Sequence, residues 1–115
     1  MKGKYVVGLT RGGFGTSVVA MIFGDSVVHA DVAVRMFGSK HHILGAGFVQ
    51  VGTTVGGEVD VYFFGQSDSL GIRSRPEDRS YLEHALGMRE RPDDEQFQQD
   101  RKAILTRLEA HPEAA

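Results

Sequence analysis

Five histidines and no cysteine bound the chemistry open to this chain. Imidazoles can move protons or attack an electrophile, while a thiol nucleophile and a thiolate metal site are excluded. His29 stands apart from the others, set among valines and followed by a small residue and an acid in His29-Ala30-Asp31. His84 falls in a charged stretch and His111 in an Ala-containing tail, both placed for solvation. His41 and His42 are adjacent, and in a strand they would point to opposite faces, so no joint metal site is expected and the metal-ligand set is none. A lone histidine such as His29 has two readings, a packed structural ring or a proton-transfer group. The second candidate is Gly65-Gln66-Ser67-Asp68-Ser69-Leu70-Gly71, whose small residues can present successive backbone N–H groups to an anion or form a plain turn. The Gly-x-x-x-x-Gly-Lys and Gly-x-Gly-x-x-Gly phosphate signatures are absent. Gly45-Ala46-Gly47 lacks the following helix that a dinucleotide fingerprint needs.

The elements that must position these residues divide near Ser74. Of 15 glycines, 14 lie in positions 1–71, whereas 8 of 13 Lys+Arg and 10 of 15 Asp+Glu follow residue 72. The first part therefore reads as strands and turns, the second as charged helices. Lys4 to Thr10 is a β-branched and aromatic run ending at the glycine turn Arg11 to Gly15, and Ser17 to Phe23 is a second strand, together a hairpin. His42 to Val51 and Glu58 to Phe64 form another hairpin across Gly52 to Gly57. Gly45 and Gly47 within it mark a bulge or a close approach to the backbone. Ser26 to Phe37 fits two periods. As a strand it alternates Val28, Ala30, Val32, Val34 and Met36 against His29, Asp31, Ala33, Arg35 and Phe37; as a helix it has Asp25 or Ser26 as N-cap, a Val28, Val32, Met36 stripe and Gly38 as stop. Ser74-Arg75-Pro76-Glu77 reads as a capping box opening a helix with a Tyr81, Leu82, Ala85, Leu86 stripe, ended by Gly87. Asp94 to Glu109 is a final helix with Phe97, Ile104, Leu105 and Leu108 on one face, to pack on the sheet or on a partner.

Length and charge narrow the function classes. With 115 residues the chain has the size of one domain, which excludes separate cofactor and substrate domains. A hydrophobic fraction of 41% and a charged fraction of 24% suit a folded domain. A net charge of -2 gives no cationic footprint for nucleic acid or an anionic membrane, so neither is an expected partner. No signal-peptide pattern and no apolar run able to span a bilayer are present, and the expected location is cytoplasmic.

The order of the pieces resembles a family. Lys4-Tyr5-Val6, His29-Ala30-Asp31, Leu44-Gly45-Ala46-Gly47 and Phe64-Gly65-Gln66-Ser67-Asp68-Ser69-Leu70-Gly71 occur in the order seen in the Janus/ocnus family of protein histidine phosphatases, over about residues 4–88. The resemblance implies a small α/β domain over 1–90 with a mixed β-sheet, packed helices and a phosphate pocket, followed by an extra C-terminal helical extension over 91–115. It also implies a helix for Ser26 to Phe37, His29 as the catalytic histidine, and Lys4 with the loop positions Ser67, Asp68, Ser69 and Gly71 around the phosphate. No cofactor is expected. The implied activity is hydrolysis of phosphohistidine or a related phosphorylated group, with His29 as general base and covalent catalysis second. The implied partners are a phosphorylated protein or small phosphorylated ligand, with a homo-oligomer through the C-terminal helix also open. At the start of a helix, the dipole would favour the neutral imidazole of His29. Three features depart from the family: Phe48 stands where an arginine is expected, Asp68 brings a negative charge into the loop, and a charged helix replaces a last strand. Two other classes remain open, a non-catalytic phosphate-binding module and a structural oligomerisation domain.

Overall fold

The computed structural model describes residues 1–12 and 15–114; the tip of the first glycine turn, Gly13 and Phe14, lies outside the described residues. Strand β1 (Lys2–Gly12) pairs with β2 (Gly15–Phe23) on one side and β3 (Ile43–Thr53) on the other, and β4 (Val59–Phe64) pairs with β3. The sheet order is β2-β1-β3-β4, and every pairing is antiparallel. The expected mixed sheet is therefore corrected. Two hairpins joined by one crossover supply only antiparallel neighbours, because no strand returns in the direction of the strand beside it. A short ladder of β5 (Gln66–Ser67) and β6 (Ile72–Arg73) follows.

Central strand β1 sends alternate side chains to two covered faces, which explains its continuous apolar run. Tyr5, Val7 and Leu9 join Val18, Val49, Val61 and the helical residues Tyr81, Leu82, Ile104 and Leu108 in one core. Val6 joins Ile43, Ala46, Val32, Ala33 and Phe37 in the other.

The Ser26 to Phe37 segment is helical. One α-turn, α1 (His29–Val32), runs into a π-helical turn at Ala33–Phe37, and Gly38, at φ 105°, closes it. The cap is Val28, without a side-chain acceptor, rather than Asp25 or Ser26. The predicted Val28, Val32, Met36 stripe also fails, since Val28 and Met36 are exposed and Phe37 is buried with Val32. The π turn explains the shift: its i→i+5 spacing carries Phe37, not Met36, round to the face of Val32.

On the opposite face, α2 (Asp78–Ala85) begins four residues after Ser74, so the capping box does not form. The Ser74 N–H instead donates to the Gly65 carbonyl at 2.9 Å, extending the short ladder. Asp78 is drawn inward. Its carboxylate accepts from Tyr5 Oη at 2.7 Å, from the Arg75 backbone N–H at 3.0 Å and from Arg75 Nε at 2.9 Å. The Arg75 guanidinium then donates through both terminal nitrogens to Asp100 on α3 (Asp94–Ala110), each at 3.1 Å, and Tyr81 Oη donates to Asp100 at 2.8 Å. Burial raises the Asp78 carboxyl above its ordinary range, against the pull of Arg75. Burial likewise raises the Tyr5 and Tyr81 hydroxyls, so both stay protonated donors.

Gly45 is required beneath this network, because a Cβ there would meet the Asp78 carboxylate. The nearby register shift of β3 against β1, which leaves Leu44 unpaired, makes Gly45 the close approach anticipated from its sequence. Helix α3 is capped by Asp93, whose carboxylate accepts from the Gln96 N–H at 2.9 Å. Its Ile104 and Leu108 are buried in the core, with Phe97 and Leu105 packed at the margin. Among the described residues no helix is long and apolar enough to cross a membrane.

Candidate functional site

His29 is placed by the first turn of α1 against the sheet, where only 4% of the residue is exposed. Its ring meets Phe23 of β2 and Phe48 of β3 edge-on, with centroids 5.4 and 5.9 Å away. Nε2 lies 2.8 Å from the Gly47 carbonyl oxygen, which can only accept, so the neutral ring carries its proton on Nε2 and leaves the Nδ1 lone pair free. Nδ1 makes no hydrogen bond to the described residues. Burial lowers the pKa of His29 below the usual histidine value, the Gly47 carbonyl opposes this, and the Lys4 charge adds to it. The imidazole is therefore neutral near pH 7. The expected dipole contribution is small beside these, since a single α-turn has little macrodipole to offer.

Lys4 comes from β1, and its ammonium donates to the Val27 carbonyl at 2.9 Å, just ahead of α1. It lines a cleft of about 350 Å³ with Lys2, Asp25, Phe48, Gln50 and Phe64. Phe48, where a cation was expected, instead covers one side of His29 and stacks on Phe64 at 5.8 Å.

The glycine-serine loop is the turn between β5 and β6. Ser67 is buried, and its hydroxyl accepts from the Leu70 N–H at 3.2 Å, while its carbonyl accepts from the Gly71 N–H at 2.9 Å. Gly71 takes φ 67°, the left-handed conformation that closes the turn. The Ser69 hydroxyl lies 3.2 Å from that of Ser67 and accepts from the Ala30 N–H at 3.2 Å, which joins the loop to α1 beside His29. Asp68 is exposed and its carboxylate accepts from Gln66 Nε2 at 3.3 Å. The fold thus brings His29, Lys4 and Ser69 to one end of the sheet. Lys4 and Ser69 line different cavities: Phe48 walls the first, Ala30 the second.

Sequence reasoning missed three contributors to the His29 environment. Phe23 ends a strand like any apolar residue, the Gly47 carbonyl has no side-chain signal, and Val27 offers only backbone to Lys4. The histidine pair at 41 and 42 is also corrected, because both lie in a 3-10 turn (Lys40–His42) instead of a strand. His42 is buried with Nδ1 2.9 Å from Ser39 Oγ, while His41 stacks on His111 with centroids 4.2 Å apart. His84 is partly covered, with Nδ1 3.1 Å from the Arg89 carbonyl. No family model, no curated protein and no solved structure matches the chain.

Proposed function

We propose that this chain is a metal-independent phosphatase or phosphoamidase that hydrolyses phosphohistidine or a related phosphorylated group, with His29 as general base. One observation carries the reading: a neutral imidazole whose Nε2–H is tied to the Gly47 carbonyl, leaving the Nδ1 lone pair free as a base within reach of the Lys4 charge. In the proposed step Nδ1 takes a proton from water as the water oxygen bonds to phosphorus. The phosphorus–nitrogen bond breaks, and the departing nitrogen takes up a proton from His29 or solvent. Lys4 offsets charge on the phosphoryl oxygens once its ammonium turns from the Val27 carbonyl. Ser69 lines the other cavity, where its hydroxyl accepts from the Ala30 N–H and holds the start of α1 instead of the phosphate.

The test is turnover of a phosphoramidate by well-folded variants. His29→Ala cuts hydrolysis by ~10²-fold or more, the usual minimum for a positioned acid–base group, while circular dichroism stays native. Lys4→Ala costs less, because Lys4 offsets charge on the phosphoryl oxygens and transfers no proton. Wild-type turnover by a folded His29→Ala variant overturns the reading. The depth of the His29 ring favours a second reading, a module that binds a phosphorylated ligand without turning it over. Phosphate binding with no hydrolysis by the wild type would select it.

A further inference from the structure

Three potential ligands outside the His29 site converge where the Lys40–His42 turn meets the chain after α3. His41 in the Lys40–His42 turn, His111 after α3 and Glu113 in the following 3-10 turn place one ligand atom each within 4.8 Å of one another. His111 Nδ1 lies 3.4 Å from Glu113 Oε1. The edge of a tetrahedron built on metal–ligand bonds of about 2.0–2.1 Å is about 3.3–3.4 Å, so this pair already has the separation of two zinc ligands. The His41 and His111 rings are stacked, 14° from parallel. Neither histidine is buried.

We propose that His41, His111 and Glu113 form a site for a divalent transition cation of the zinc, cobalt or nickel type. The donor set selects this class. Two neutral imidazoles and one carboxylate bring a single negative charge, and Lys40 and Arg107 lie close enough to act on His41. A hard cation held by charge, calcium or magnesium, gains little there, whereas a borderline metal bonds imidazole nitrogen directly. Three protein ligands leave a fourth position for water. His41 and Glu113 also line the cavity of about 350 Å³ that Ala30, Val34, Ser69 and Leu70 enclose, so the ion would sit at its wall and tie the turn after α3 to the turn before β3. The site is independent of the His29 reading, and each can fail alone.

The full-length chain is titrated with cobalt(II) and zinc(II) by visible absorption and calorimetry. One equivalent binds to the monomer, cobalt gives the intense visible bands of a tetrahedral site, and the melting temperature rises with metal concentration. His41→Ala and His111→Ala each weaken binding by about 10–100-fold or more, at least the loss seen when only an outer partner of a ligand is removed. Glu113→Gln weakens it too, His84→Ala does not, and magnesium and calcium fail to bind. Because His111 and Glu113 follow the last α-helix, their variants keep the fold even where His41→Ala does not. Absence of binding at millimolar metal, unchanged affinity in the His111 and Glu113 variants, or half an equivalent with dimer formation would each overturn the proposal.

Discussion

The two faces of the sheet are held by different physics. On the α2/α3 face, long helices lie over Tyr5, Val7 and Leu9, and a buried chain of charged hydrogen bonds runs from Tyr5 through Asp78 and Arg75 to Asp100 and Tyr81. On the α1 face, a single α-turn and a π turn cover Val6 and Ile43, and much of that cover is exposed, Val34 and Met36 included. The first arrangement leaves little freedom, since among the described residues every buried side-chain polar atom has a partner and losing one strands another. The second gives up burial and regular hydrogen bonding to place one imidazole against the sheet with one ring nitrogen unpaired. Stability is concentrated on one side of β1 and the candidate chemistry on the other.

The comparison breaks most sharply at α3. Removing residues 93–115 deletes Asp100, Ile104 and Leu108, forfeits about 3–6 kcal/mol from the two buried aliphatic side chains, and leaves Arg75 and Tyr81 without Asp100. The expected result is loss of cooperative urea unfolding and of amide dispersion in NMR spectra; a truncated chain as stable as the full one contradicts the assignment of stability to this face. Asp78→Ala comes next, at about 3–5 kcal/mol, because it breaks a buried pair and orphans the Tyr5 hydroxyl, read from the shift in urea midpoint. Gly45→Ala presses a methyl group onto the same carboxylate and costs about 1–3 kcal/mol, while Gly52→Ala, which meets nothing within 4 Å, changes stability by about 0.5 kcal/mol or less.

The smallest effect sharpens the other face. The pKa of His29 is lowered in the folded chain, so below about 6.5 the unfolded chain binds the proton first. Stability from this group is therefore complete above that value and declines as pH falls toward the folded pKa. Wild type loses stability on acidification that His29→Ala does not lose, measured as the difference between their urea midpoints from pH 7 to pH 5. Phosphoramidate hydrolysis, by the same sign, rises with pH through the folded pKa and is level at neutral pH.

The strands were legible because their signal is local. β-branched alternation and glycine boundaries put β1 to β4 within two residues of their observed ends, and the Phe97 to Leu108 spacing marked α3. Ser74 misled because its N–H is claimed by Gly65 and the Asp78 carboxylate by Tyr5, 73 residues away, a competition no local capping pattern contains. Met36 misled because the period was taken as 3.6, and a π turn shifts the inward position by one. At the candidate site the side chains were identifiable by type. Its decisive hydrogen bond, to the Gly47 carbonyl, belongs to backbone that every residue has, and only the register of β3 against β1 brings it to His29.

The clamp on Arg75 also imposes an order on synthesis. A ribosome adds about 5–20 residues per second, so roughly one to five seconds separate the appearance of Pro76 from that of Asp100. During that interval all four long strands have been made, yet the face bearing Tyr5, Val7 and Leu9 has neither Ile104 and Leu108 to cover it nor the second carboxylate that completes the guanidinium. Until the segment carrying Asp100 clears the exit tunnel, the strands already made have no stable sheet to join, and their apolar residues stay open to chaperone capture.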